Sequence, residues 1–402
     1  MNCDRLEALL AAHRVDALIA TSPENIRYVT DYQTFQGVWN RFPKAVIVAK
    51  TIDKPVLVLP IAEVTQAYES VDVDKFELIV FGASNFHIPD ETALDATSSW
   101  ISEAAANSAN GIVEAILETL SEIVHDSARV AVDRGGDPQL FRLLLASERN
   151  YQFVDNGEDL WRLVRMVKTR AEVVRLKRAV EINELGISSV YQVLGRKTDT
   201  EIEQTYRTTI SAAGGTVQHW VGGSGKRAGA YHKSRHEISE VGSRWRFDCG
   251  IEFEGYCSDL GGTAQIGCSP SHEESRIYAA LTNGIEAGIA AAKPGIRTSS
   301  LYEKVIGAVR KSGLPDYRFS LVGHGIGVEP RDLPIIAPGF KTVSPFFPQL
   351  FDPELEENMV LNIECPLNQL GIGGFQHEIT MMVSQDGGEL LSELRNYDVV
   401  NL

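Results

Sequence analysis

The stretch that most constrains this chain is Arg246-Phe-Asp-Cys-Gly-Ile-Glu-Phe-Glu-Gly-Tyr-Cys-Ser-Asp259. It reads as two strands joined by a tight turn at Glu252-Phe-Glu-Gly255, where Gly255 can take a positive φ. With Phe253-Glu254 as the two-residue loop, Asp248 falls directly opposite Asp259. Like charges facing each other on adjacent strands destabilise a sheet. The pair therefore predicts a cation between the two carboxylates; two solvated acids on an exposed edge are the plain alternative.

The remaining bounds come from the whole chain. Its 402 residues exceed what one small core needs, so two domains are expected. Apolar residues make up 44% and charged residues 23%, ordinary values for a soluble globular protein. The net charge of −16 argues against non-specific nucleic-acid binding, which needs a basic face. No apolar run approaches the length of a membrane span, and Met1–Ala20 carries no signal-peptide pattern. The five cysteines lack C-x-x-C spacing and read as free thiols in a reducing, cytoplasmic compartment.

Residues 1–160 read as an α/β domain. Val15–Ala20, Ala45–Ala49, Pro55–Leu59, Leu78–Phe81 and Arg129–Asp133 are strand-like, and Ile112–Val124 is helical. Nothing in this half clusters histidine, cysteine or acids at a useful spacing. Trp161–Lys168 reads as the joint, and residues 161–402 as a second domain. There Thr169/Glu172 and Thr198/Glu201 form capping boxes that open two helices. Ser271–Ala292 and Ser299–Ser312 form a second helix pair. A second hairpin follows, with Met359–Glu364 and Phe375–Val383 flanking a glycine-rich loop.

If that hairpin is symmetric about Gly371, Glu364 faces Glu378. His324 lies between glycines in Val322-Gly-His-Gly-Ile-Gly-Val328, free to point into a site. Four carboxylates and one imidazole form a hard donor set that suits Mn²⁺, Co²⁺, Fe²⁺ or Zn²⁺. Four negative ligands balance two divalent ions. Such pairs lie about 3.5–4 Å apart, activate a bridging water and polarise the bond it attacks.

These residues resemble the D-x-G…G-Y…S-D signature of the pita-bread metallopeptidases: methionine aminopeptidase, Xaa-Pro aminopeptidase and prolidase, with creatinase as a non-metal relative. The likeness spans most of the chain. Thr21-Ser-Pro-Glu-Asn-Ile-Arg-Tyr28 is similar to the amino-terminal domain of the proline-specific and creatinase branch. The eleven-apart aspartates, the G-H-G-x-G, the I-E-x-P and the last strand glutamate follow in family order.

The resemblance implies a creatinase-like α/β domain followed by an α+β pita-bread catalytic domain. It implies that Asp248 chelates one metal, that His324 and Glu364 hold the other, and that Asp259 and Glu378 bridge both. A bridging hydroxide would be the nucleophile and Glu364 its proton shuttle. His232, in Tyr231-His-Lys-Ser, resembles the family histidine that binds substrate near the scissile bond. Manganese, a small peptide substrate and a homodimer are further family expectations.

Two positions depart from the pattern. Arg331 stands where a second histidine is usual, seven residues after His324. Gln376 stands where proline-specific members carry arginine, two residues before the last glutamate. Both positions help hold a peptide substrate, so Arg331 is expected to supply the displaced charge. The leading expectation is an Xaa-Pro dipeptidase or aminopeptidase. A creatinase- or ectoine-hydrolase-type enzyme acting on a small amide is the second reading, and a non-catalytic binding protein of the same fold the third.

Overall fold

The computed structural model describes residues 1–34, 42–72, 74–84, 86–88, 93–393 and 398–400. The chain divides into two compact units. The first contains Met1–Val164 and Val343–Pro348, the second Arg165–Thr342 and Gln349–Leu402. The division at Val164 falls inside the helix Gly157–Arg165.

The first unit is built on six strands: β1 (Ala17–Ala20), β2 (Ala45–Ala49), β3 (Val56–Pro60), β4 (Glu77–Phe81), β5 (Arg129–Val132) and β6 (Gln152–Val154). They lie in the order β4-β3-β2-β1-β5-β6. β2 pairs antiparallel with β1 and β3, while the other neighbours run parallel. The apolar runs Ala45–Ala49 and Val56–Leu59 are fully buried, as expected for strands covered on both faces. The helix Ile112–Ile123 packs its Ile112, Ala115, Ile116 and Leu120 stripe into this core. These elements match the sequence reading, which missed the short β6.

The second unit holds two larger sheets. One contains β7 (Thr216–Ser224), β8 (Arg244–Phe253), β9 (Tyr256–Ile266) and the terminal strand at 398–400, in the order terminal strand, β9, β8, β7. The other is formed by Gly323–Gly325, Asp332–Ile336, Val360–Glu364, Glu378–Ser384 and Gly387–Leu390. Both expected capping boxes form, opening the helices Arg170–Tyr191 and Asp199–Ala212. The second helix pair is His272–Ala291 and Thr298–Lys311.

β8 shows how one strand serves core and site together. Trp245, Phe247, Cys249 and Ile251 face the helices and are buried with Ile182, Ile202 and Tyr206. The alternate residues Arg246, Asp248 and Gly250 face the opposite way, because side chains alternate along a strand. Asn183 ties the helix to the hairpin. Its amide donates to the Cys249 carbonyl and Ser258 Oγ, and its oxygen accepts from the Tyr206 hydroxyl at 2.6 Å.

The hairpin register differs from the sequence expectation. Phe253 pairs with Tyr256, so the loop is Glu254-Gly255 and Asp248 pairs with Gly261. Both loop residues have positive φ, 46° and 84°, the form that matches the twist of a two-residue hairpin. Asp248 and Asp259 are therefore diagonal neighbours, two residues out of register. An even offset keeps both on the same face, so the two carboxylates still meet. The second hairpin follows its expected symmetry, with Glu364 opposite Glu378.

Candidate metal centre

The two sheets meet along β9 and the strand Glu378–Ser384. The Asn362 amide donates to the Asp259 carbonyl at 2.9 Å, and Thr263 Oγ1 both donates to and accepts from the Gln376 backbone. This seam brings Asp248, Asp259, His324, Glu364 and Glu378 together. Four of them line a cavity of about 360 Å³, with His219, Val221, Tyr231, Phe319, Pro330 and Arg331 completing the wall. His324 lies behind the wall, 1% exposed.

His324 is oriented as a ligand. Its Nδ1 lies 2.9 Å from the Gly325 carbonyl, which only accepts, so Nδ1 carries the hydrogen. Its Nε2 lone pair then faces Asp259 Oδ2 at 3.8 Å. Burial lowers its pKa, which favours the neutral, ligating form.

Without a cation the acids strain one another electrostatically. Burial, then the charges of Asp248 and Asp259, push Glu364 up to about 7. Burial, then Asp259, Asp248 and Glu364, push Glu378 well above the usual carboxylate range. Asp259 Oδ1 is buried and makes no hydrogen bond. One donor atom each of Asp259, His324 and Glu378 lie within 4.8 Å of one another. Converging buried carboxylates, an orphaned carboxylate oxygen and a preset imidazole fit hard divalent cations.

Gln376 is fully buried behind this set. Its amide nitrogen donates to Glu378 Oε2 at 3.0 Å and approaches Glu364 Oε2 at 3.5 Å, while its oxygen accepts from Arg246 Nη2 at 3.1 Å. The side chain therefore supports the carboxylates and does not line the cavity. Arg331 does line it, and its charge offsets part of the rise at Glu364. Its neighbours Glu329 and Asp332 engage Arg165 Nη2 at 2.9 and 3.3 Å, and Asp332 also meets Lys168 at 3.5 Å. These pairs, fully buried at Asp332 and half-buried at Glu329, fix the segment that carries Arg331.

His232 is exposed and is not part of the cavity wall, which receives Tyr231 instead. The segment from Tyr231 onward belongs to no strand, so no regular alternation sets which of the two side chains reaches the site. Tyr231, still half exposed, stacks on the Arg246 guanidinium, 4.9 Å from its ring centre.

Two residues of the site escaped the sequence reading. His219, on β7, places Nε2 3.0 Å from Asp248 Oδ1 and 3.1 Å from Asp259 Oδ1. Burial opposes its charge, but the contacts with the two aspartates outweigh that and hold its pKa at about 10. Arg246, 2% exposed, lies 3.9 Å from Asp248 Oδ2. It sits two residues before Asp248 on one strand, and that spacing already implied a shared face.

Residues 174–385 match metallopeptidase family M24, and residues 3–167 match the creatinase/prolidase N-terminal domain. The chain is 24% identical over 395 residues to an Xaa-Pro dipeptidase of Lactobacillus delbrueckii subsp. lactis, covering 96% of this chain and 95% of that one. It is 25% identical over 240 residues to an Xaa-Pro dipeptidase of Pyrococcus furiosus, covering 59% of this chain and 66% of that one. The fold is shared with a solved Xaa-Pro dipeptidase from Bacillus anthracis, with TM-score 0.77, 18% identity and both chains covered in full.

Proposed function

Because the chain belongs to metallopeptidase family M24, we propose that it is a dinuclear enzyme cleaving Xaa-Pro peptides, as a dipeptidase or an aminopeptidase. The observation that carries this is the convergence of Asp248, Asp259, His324, Glu364 and Glu378 on one cavity of peptide-fragment size. Its Xaa-Pro dipeptidase relatives support the substrate class.

Asp248 would hold one ion, His324 and Glu364 the other, and Asp259 and Glu378 both. Bound there, the ions would make a shared water nucleophilic near neutral pH and polarise the scissile carbonyl. Glu364, at the cavity wall, takes the proton of the attacking water and returns it to the leaving nitrogen. Arg331 receives the substrate carboxylate, since the ions and their four carboxylates are formally neutral. Gln376 keeps Glu378 oriented by its amide hydrogen bond.

Mn²⁺ is the proposed metal, and Co²⁺, Zn²⁺ and Fe²⁺ suit the same donors. The five cysteines are free, which supports a reducing, cytoplasmic setting. Among the described residues no helix is long and apolar enough to cross a membrane. A homodimer completes the proposal on the family resemblance.

A second reading has its own support. Tyr231 lines the cavity, an aromatic wall that suits a small amide in place of a dipeptide. The Mn²⁺-loaded protein should be assayed against Xaa-Pro dipeptides, Xaa-Pro-Xaa tripeptides, dipeptides without proline, and creatine. Turnover confined to the proline peptides is expected. Turnover of creatine or of proline-free peptides alone would replace the reading.

A further inference from the structure

In the centre proposed above, the ion at Asp248 has carboxylates alone, while the other ion has the imidazole of His324. We propose that His219 is a protein ligand of the ion at Asp248, so that each ion carries one imidazole. The inference rests on the dinuclear reading and goes beyond its five ligands.

The sheet sets up the contact. His219, Gly250 and Asp259 occupy one row across β7, β8 and β9, with glycine in the middle. A Cβ at Gly250 would sit 2.2 Å from His219 Cε1 and 2.5 Å from Nδ1. The imidazole therefore lies flat across bare backbone, and any side chain at 250 would displace it. Crossing there brings Nε2 to the acids of both β8 and β9.

The spacing of the donor atoms is that of ligands. Nε2 stands 3.0 Å from Asp248 Oδ1 and 3.1 Å from Asp259 Oδ1. Two atoms each about 2.1 Å from one ion, at right angles, are about 3.0 Å apart. Without an ion, a hydrogen bond accounts for only one of these contacts and the other rests on charge alone. Nε2 carries at most one hydrogen, its bond goes to Asp248, and the buried Asp259 Oδ1 is left without one. An ion held by all three atoms uses the Nε2 lone pair and both oxygens.

A nitrogen donor at each position also changes metal preference. Carboxylates favour Mn²⁺, whereas imidazole favours Zn²⁺ and Fe²⁺. The centre should then accept Zn²⁺, Fe²⁺ and Co²⁺ more readily than a centre with one imidazole.

The test uses Co²⁺ and no substrate. Chelator-treated full-length protein is titrated with Co²⁺ by calorimetry, and the loaded protein is examined by proton NMR. Two sets of paramagnetically shifted imidazole signals are expected in the wild type, one from His324 and one from His219. His219→Ala should lose one set and bind one of the two ions at least about tenfold more weakly, the other unchanged. The wild-type signal count needs no variant, so it stands even if His219→Ala does not fold. Two bound ions with a single imidazole set would overturn the proposal and leave the dinuclear reading intact. Tighter binding by His219→Ala would overturn it too, showing a resident imidazolium that competes with the ion. A wild type that binds no Co²⁺ would overturn both.

Discussion

The guanidinium of Arg246 donates a 3.1 Å hydrogen bond to the side-chain oxygen of Gln376, across the seam between the two sheets. This fixes which way the amide points. With its oxygen on Arg246, its nitrogen must face Glu378. The proline-specific pattern expects an arginine at position 376. Here a guanidinium reaches that neighbourhood from β8, and a second one, Arg331, stands at the cavity.

Arg246→Leu should therefore destabilise the metal-free protein by about 1–3 kcal/mol, because it strands the buried Gln376 oxygen. It also removes the cation beside Asp248. The loss should shrink once Mn²⁺ supplies positive charge. Urea unfolding with and without Mn²⁺ measures both, and equal stability of variant and wild type in the two states would refute the role. The exchange Arg246→Gln with Gln376→Arg should retain more activity than either single change.

Arg331→Ala should lower kcat/KM on an Xaa-Pro dipeptide by about 10- to 150-fold, the worth of a charge-assisted contact of about 1.5–3 kcal/mol. The corresponding dipeptide amide, which lacks the carboxylate, should lose much less. Equal losses on the two substrates would show that Arg331 does not read that group.

Asp259→Asn and Glu378→Gln should lose bound metal, because a neutral amide bridges two cations poorly. In the metal-free protein Glu378→Gln should unfold no earlier than the wild type, because burial and the neighbouring acids already disfavour the charged form of Glu378, whereas Asp259→Asn also removes a carboxylate paired with His219 and should gain nothing. Elemental analysis and thermal unfolding after chelation check the two halves. A clear fall in the metal-free stability of Glu378→Gln would make that side chain structural.

Asn183→Leu should cost about 2–4 kcal/mol, because it strands the Tyr206 hydroxyl and the Cys249 carbonyl in the core. Urea unfolding reads this directly. A change below about 0.5 kcal/mol would mean that neighbouring groups replace the lost partners.

Much of the centre was legible because strands have a strict period. Glu364 and Glu378 follow from a hairpin symmetric about Gly371, and the observed register keeps that symmetry. Asp248 and Asp259 were placed opposite each other through a loop one residue too early. The true loop uses a left-handed Glu254, which side-chain statistics do not favour. The error was an even shift, so the shared face survived it.

His219 was hidden for a different reason. The register between β7 and β8 shifts between Val217 and His219, and such an extra residue breaks the alternation that marks a strand. Which wall residue the Tyr231-His232 pair supplies depended on the direction of an irregular segment, which local sequence does not set. The grouping of Val343–Pro348 with the first unit likewise reflects tertiary packing alone.

On the proposed function, this cavity hydrolyses peptides only when two divalent ions fill it. The most direct test of this is a Mn²⁺ titration of the chelator-treated protein, with bound metal and Xaa-Pro hydrolysis measured on the same samples. No hydrolysis is expected in the metal-free protein, with two ions bound per chain on titration and activity returning as they bind. Full hydrolysis by protein that elemental analysis shows to be metal-free, or full activity with saturation at one ion, would contradict the proposed function.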